Sequence, residues 1–144
     1  MKMNPIFLLI FIIGLLAFQQ VPNCVDIPVN ELSEDKSATT LNQADILNIH
    51  SKLERGYLII QTVGNSMLGV INPNQRCLCV VKEEYSVGDI ILFLNQNTGV
   101  AHEIIYQTSS GFITKGTNNE FADGEIHKSQ ALCSIPYLSR WELW

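Results

Sequence analysis

Hydrophobic and polar positions divide the chain into an apolar run, a polar stretch, one helical segment and a series of strands. Residues 6–18 (IFLLIFIIGLLAF) form an uninterrupted apolar run. Residues 22–40 are polar and acidic, which is typical of a tether. Between residues 40 and 55 the apolar positions recur at helical spacing, and Gly56 follows as a stop signal, which predicts a short amphipathic helix.

Beyond Gly56 the pattern changes to short β-branched or aromatic runs separated by turn sequences rich in Gly, Asn and Ser. These runs predict strands at 57–63, 77–81, 89–94, 100–106 and 111–114. Short strands at this spacing predict a mainly β fold, built as a small sheet or barrel. The length of 144 residues suits one such domain, which we assign to residues 41–144.

We predict that residues 1–21 are a hydrophobic membrane anchor or signal segment. The apolar run has 13 residues and follows Lys2, which suits the core of a signal peptide and is short of the roughly 20 residues of a bilayer span. The residues after it (QQVPNC) contain no small-x-small cleavage pattern, so we favour an uncleaved single-pass anchor. The charge of Lys2 predicts a cytoplasmic N-terminus and an extracytoplasmic domain.

Charge and cysteine spacing exclude several kinds of partner. The net charge is −5, with 16% charged residues and no Lys/Arg cluster, so we expect no nucleic-acid partner. Cys24, Cys77, Cys79 and Cys133 form no CxxC pair and have no histidine at zinc-site spacing, so we expect no metal. We expect buried free thiols, while a disulfide from Cys133 to Cys77 or Cys79 stays open.

Three polar residues at predicted strand ends or turns are candidates for chemistry: Ser66, His102 and Asp123. A hydroxyl needs a base and an orienting acid before it becomes an effective nucleophile, and these three residue types supply that set. Each alone also has an ordinary interpretation, as a turn hydroxyl, a core histidine or the Asp of an Asp-Gly turn. His50, in the predicted helix, is interpreted as an ordinary surface histidine.

Five collinear segments, between about residues 57 and 138, resemble motifs of the type I signal peptidases. The segments are GNSM at 64–67, SVGDIILF at 86–93, VAHEII at 100–105, TKGTNN at 114–119 followed by Asp123, and SIPYL at 134–138. The histidine in VAHEII resembles archaeal and endoplasmic-reticulum-type members, in which histidine replaces the bacterial lysine. The resemblance implies a signal-peptidase-like β-barrel or sheet domain with an N-terminal hydrophobic helix and one short amphipathic helix.

The resemblance also implies an activity: a membrane-bound serine endopeptidase that cleaves signal peptides or other exported precursors after small residues, without a cofactor. Ser66 would be the nucleophile, His102 the general base and Asp123 the acid that orients it. The backbone N–H of Ser66 would donate to the oxyanion, and Met67 would help to wall the substrate pocket. Precursor peptides and membrane lipid are the partners that this activity requires.

Several positions depart from the family pattern. Gly64 replaces a hydroxyl residue of bacterial members, Leu68-Gly69 lacks the usual proline, and Gln75-Arg76 replaces Gly-Asp. Glu103 stands where arginine is expected, and Thr117 replaces an aspartate of KGDNN. Because glycine does not fix φ as proline does, we expect a less constrained nucleophile loop.

Two alternatives stay open. The first is a catalytically degenerate homologue that binds hydrophobic segments without cleavage. The second is an unrelated secreted β-domain or a self-cleaving repressor-type relative. That relative needs a lysine base and an Ala-Gly or Cys-Gly scissile pair, and the chain contains neither dipeptide.

Overall fold

The computed structural model describes residues 21–26 and 43–138, which form a mainly β domain with one short α-helix. Its elements in chain order are β1 (Val21–Pro22), β2 (Cys24–Asp26), α1 (Gln43–Leu53), β3 (Tyr57–Gln61), β4 (Gln75–Val80), β5 (Ile90–Asn95), β6 (Thr98–Gln107), β7 (Gly111–Lys115), β8 (Glu125–His127), a 3-10 turn (Lys128–Gln130), β9 (Ala131–Ile135) and β10 (Tyr137–Leu138). No helix in these described ranges is long and apolar enough to span a membrane.

The prediction of a mainly β fold is confirmed, and all five predicted strands are present with ends shifted by one or two residues. The helix predicted over 40–55 is observed as α1. The hydrophobic pattern did not predict β1, β2, β8 or β10, because strands of two or three residues are too short to show alternation. It also did not predict β9, which has five residues and overlaps the segment 134–138 that was identified only by the family resemblance. The predicted anchor at residues 1–20 lies outside the described residues.

Eight of the strands form one antiparallel sheet in the order β2-β4-β9-β5-β6-β7-β8, and β3 pairs with the other side of β4. The remaining two strands, β1 and β10, pair with each other. The edge of β4 away from β3 pairs with two strands. Its first residues pair with β2, and its last residue, Val80, pairs with Ser134 of β9. The contact between the β3–β4 part and the rest of the ladder is therefore narrow.

The core lies on both sides of β5, whose successive side chains point to opposite faces. Ile90 and Leu92 belong to a cluster with Met67 and the buried cysteines. Ile91 and Phe93 belong to a second cluster that contains Ile104, Phe112 and Ile126. Burial on both faces explains why β5 consists of a continuous apolar run and was easy to predict from sequence.

The prediction of free thiols is wrong, because the four cysteines form two disulfides. Cys79 bonds to Cys133, which is one of the two pairings left open, and Cys24 bonds to Cys77. The second pair was not expected, because Cys24 was assigned to the tether of residues 22–40. That assignment is wrong for its first residues, since Cys24–Asp26 pair with β4 as strand β2.

Candidate active site

Ser66 lies in the loop that joins β3 to β4 and is partly buried. Two hydrogen bonds attach this loop to the turn after β7: Asn118 N donates to Ser66 O at 2.8 Å, and Asn118 Nδ2 donates to Asn65 O at 3.0 Å. Gly116 approaches so closely that an added Cβ would lie 2.6 Å from Ser66 O. The position of the serine therefore depends on the turn at residues 116–119.

The expectation of a weakly constrained loop needs correction at Gly69. Gly69 has φ of +93°, in the left-handed region that proline cannot adopt. The loop is closed instead by backbone hydrogen bonds, from Leu68 N to Asn65 O at 3.1 Å and from Ile71 N to Met67 O at 2.8 Å. Glycine at this position is thus a requirement of the turn and does not indicate a loose chain.

His102 lies in β6 opposite Ile91, so its side chain points into the second core cluster beside Phe93, with ring centroids 6.2 Å apart. The residue is only 6% exposed. Its Nδ1 lies 2.6 Å from Oδ2 of Asp123. The structure thus brings together two of the three predicted site residues, 21 positions apart in sequence.

Asp123 is itself held by β7. Its backbone N–H donates to Thr114 O at 2.8 Å, and its Oδ2 accepts a hydrogen bond from Thr114 Oγ1 at 2.7 Å. Two residues further on, Glu125 accepts hydrogen bonds from Ser110 and Thr108, which hold the pKa of its carboxyl below the ordinary value. Asp123 and Glu125 are therefore both tied to the β6–β7 hairpin.

Ser66 and His102 line the same cavity, which has a volume of about 310 Å³. Within the described residues the side chain of Ser66 makes no hydrogen bond, and His102 bonds only through Nδ1. Every buried side-chain nitrogen or oxygen of these residues has a partner, so Nε2 of His102 has access to solvent.

The backbone near Ser66 also offers donors. In the described part of the chain, the N–H groups of Ser66 and Met67 donate to no protein acceptor. Met67 is 5% exposed, lines the same cavity, and its Sδ accepts a contact of 3.4 Å from Thr117 N. Met67, the predicted pocket residue, therefore lines the cavity that Ser66 and His102 also line.

Two of the departures from the family pattern lie away from His102. Glu103 follows His102 in the strand, so its side chain points to the opposite face, and it lies opposite Lys115 of β7. Thr117, in place of an aspartate, contacts Met67 Sδ through its N–H and hydroxyl. It thus supports the pocket wall and carries no charge.

The sequence reasoning missed the supporting roles of Thr114, Gly116 and Asn118. All three lie in the segment 114–119, which the family resemblance singled out. The resemblance identified the segment but predicted no contacts for these three residues. His50 is exposed on α1, as predicted. The described residues contain no group of three His, Cys, Asp or Glu side chains that could hold a metal ion.

Comparisons with known proteins identify no relative: no family model, no curated protein and no solved structure matches the chain.

Proposed function

We propose that this protein is a membrane-bound serine endopeptidase of the signal-peptidase type, which cleaves exported precursors after small residues. Ser66 is the nucleophile, His102 the general base and Asp123 the residue that orients His102. The observation that carries the proposal is the 2.6 Å contact of His102 Nδ1 with Asp123, on a histidine that shares its cavity with Ser66. This is the arrangement of base and orienting acid that serine hydrolysis requires.

The reaction follows from these positions. His102 Nε2 takes the proton of Ser66 Oγ as the oxygen attacks the scissile carbonyl, and the N–H groups of Ser66 and Met67 donate to the oxyanion. The imidazolium, stabilised by Asp123, then gives the proton to the leaving amine as the C–N bond breaks. Water repeats the sequence on the acyl-enzyme, which releases the new carboxylate and restores Ser66.

The compartment is part of the proposal. Disulfides persist in oxidising environments, and this domain contains two, Cys24–Cys77 and Cys79–Cys133. Their presence supports a domain on the extracytoplasmic side of the membrane, as does the apolar run at residues 6–18 followed by strand β2 at Cys24. Precursors that emerge from the membrane would reach the site there.

The test is a cleavage assay with the full chain in detergent or lipid. The substrate is a peptide with small residues before the scissile bond, and Ser66→Ala is the control. We expect cleavage by the wild type, none by Ser66→Ala or His102→Ala, and a severe reduction in Asp123→Ala. His127→Ala is a matched control, because His127 caps the 3-10 turn and lies outside the cavity of Ser66.

One observation favours the second candidate, a homologue that binds hydrophobic segments without cutting them. Ser66 Oγ and His102 are not hydrogen-bonded to each other within the described structure, although catalytic hydrogen bonds often tighten only when substrate binds. A wild type no more active than Ser66→Ala, combined with binding of the peptide, would support this candidate and reject the peptidase.

A further inference from the structure

Thr114 makes a hydrogen bond that determines where the protons of the candidate site lie. The residue is fully buried, with 0% of its surface exposed, so its hydroxyl has no contact with solvent. In the described structure its side chain makes one hydrogen bond, to Oδ2 of Asp123. A buried hydroxyl donor without an acceptor costs about 1–3 kcal/mol, so the proton of Thr114 points to that oxygen.

The same oxygen also faces His102. Oδ2 of Asp123 lies 2.7 Å from Thr114 Oγ1 and 2.6 Å from His102 Nδ1. An oxygen that accepts from Thr114 and belongs to an ionised carboxylate offers only lone pairs to the imidazole. The proton between Asp123 and His102 therefore lies on Nδ1, and the other nitrogen, Nε2, carries the lone pair.

We propose that Thr114 is a positioning residue that selects an acceptor oxygen of the residue-123 side chain for the position facing His102, so that His102 is held as the Nδ1–H tautomer even when residue 123 has only one such oxygen. We call the site of Asp123 Oδ2, which lies near both Thr114 and His102, the shared position. The hydroxyl of Thr114 donates a hydrogen bond there, so it favours an acceptor atom at that position in any side chain of residue 123. The consequence for catalysis rests on the proposed function, because only a lone pair on Nε2 can take the proton of Ser66. The position of the proton itself does not depend on any activity.

The sharpest test replaces Asp123 by asparagine, which has one oxygen and one NH₂ group. In the Ser-His-Asp template this exchange gives the wrong tautomer of histidine. Here we expect the opposite in Asp123→Asn, because Thr114 holds the amide oxygen at the shared position and Nδ1 keeps its proton. In Thr114→Val/Asp123→Asn nothing selects the oxygen, so a substantial Nε2–H population should appear.

The measurement is ¹⁵N NMR of the full chain in detergent, since the ring nitrogens of neutral histidine differ strongly in shift when protonated and unprotonated. The spectra are recorded at a pH about two units above the ordinary pKa of histidine, so that neutral imidazole is observed. The signals of His102 are assigned by their loss in His102→Gln. Thr114→Ser/Asp123→Asn is the matched control, which keeps the hydroxyl and should keep Nδ1–H. Nε2–H as the main tautomer in Asp123→Asn, or identical tautomers in all three variants, would overturn the proposal.

Measurements of kcat provide a second test of Thr114 that is independent of the NMR experiment. Thr114→Val alone should lower kcat about 30-fold, as expected for a lost hydrogen bond to a charged group, and Thr114→Ser should restore most of it. Asp123→Asn should retain more activity than Asp123→Ala. If the wild type cleaves nothing, the peptidase proposal fails while the NMR result still decides the role of Thr114. If cleavage occurs, Thr114→Val matches the wild type in rate, and Thr114→Val/Asp123→Asn keeps Nδ1–H, the role of Thr114 is rejected.

Discussion

His102 and Asp123 are held by side chains within a ladder of strands, whereas Ser66 is held in a turn by backbone contacts to another turn. His102 is a buried residue of β6, the strand between β5 and β7, and its partner Asp123 is fixed by Thr114. Ser66 is attached to the segment after β7 through Asn118. One segment, residues 114–123, thus holds the partner of His102 at one end and the loop of Ser66 at the other.

This difference teaches where the site is preorganised and where it is adjustable. His102 and Asp123 are in hydrogen-bond contact without a substrate, so in the proposed reaction their geometry would need no rearrangement. In the proposed reaction Ser66 would have to reach His102 across the cavity that both residues line, and the position of Ser66 changes with any shift of the turn at residues 116–119. A substitution that distorts this turn should therefore displace Ser66 more than His102.

The largest expected effect tests whether the two sides act as one unit. Ser66→Ala and His102→Ala should each lower kcat by a factor of about 10⁴ or more, because neither group attacks or accepts a proton without the other. The double variant should be no slower than either single one, as measured by peptide cleavage. Effects that multiply in the double variant would show that Ser66 and His102 act independently.

The next effect tests the narrow connection between the two parts of the sheet. Removing Cys79–Cys133, in a Cys79→Ala/Cys133→Ala variant, should cost about 4 kcal/mol of unfolding free energy in denaturant titration, since the bridge closes a loop of 54 residues. It should also lower activity, because β4 meets β9 through the single pair Val80–Ser134 and Ser66 lies on the β4 side.

Cys24→Ala/Cys77→Ala is the matched control, since its bridge spans 53 residues. It should cost a similar free energy and leave the activity of the folded protein closer to that of the wild type, because the bridge joins β2 to β4 and does not cross to the His102 side. Equal losses of activity in both variants would contradict this asymmetry.

A smaller effect tests whether Ser66 can be displaced while His102 stays in place. Gly116→Ala places a Cβ 2.6 Å from Ser66 O, so the serine loop has to move, and we expect kcat to fall about 100-fold through misplacement of the nucleophile. The ¹⁵N signals of His102 should stay unchanged. Gly124→Ala is the control, because its Cβ would meet no atom within 4 Å. A shifted His102 signal in Gly116→Ala would show that the two sides are not separable.

The smallest effect concerns Glu125, which ties the end of the segment to Thr108 and Ser110. Because these hydrogen bonds lower its pKa, the carboxylate stabilises the fold fully above the ordinary value of 4.5 and loses this contribution as the pH falls through the lower folded value. Glu125→Gln should therefore lower Tm slightly at pH 7. In thermal scans the difference should shrink in acid; a constant difference would contradict the assignment.

The elements that sequence could predict are those with a strong local pattern. The strand β5 is apolar on both faces, and β6 carries His102 in an extended β-branched run, so both were identified. The disulfide Cys24–Cys77 and the strand β2 depend on pairing across 53 positions, which no local pattern contains. The proximity of His102 and Asp123 was expected only from the family resemblance, because spacing alone carries no such information.

The role of Thr114 was missed for a similar reason. A threonine in a strand is ordinary, and its significance comes from the carboxylate of Asp123, nine positions later, which turns back to its hydroxyl. The interpretation of Gly69 was wrong because the sign of φ depends on how the loop closes, and glycine permits either sign.

The Cys24–Cys77 bridge has a practical consequence for how this domain leaves its N-terminal segment. A protease that cuts the backbone between residues 26 and 43 does not separate the two pieces, because the bridge still joins β2 to β4. If residues 6–18 anchor the chain in a membrane as proposed, release of the domain by such a cut would need a reductant as well as a protease. On a gel, the nicked protein runs as one band until thiol is added.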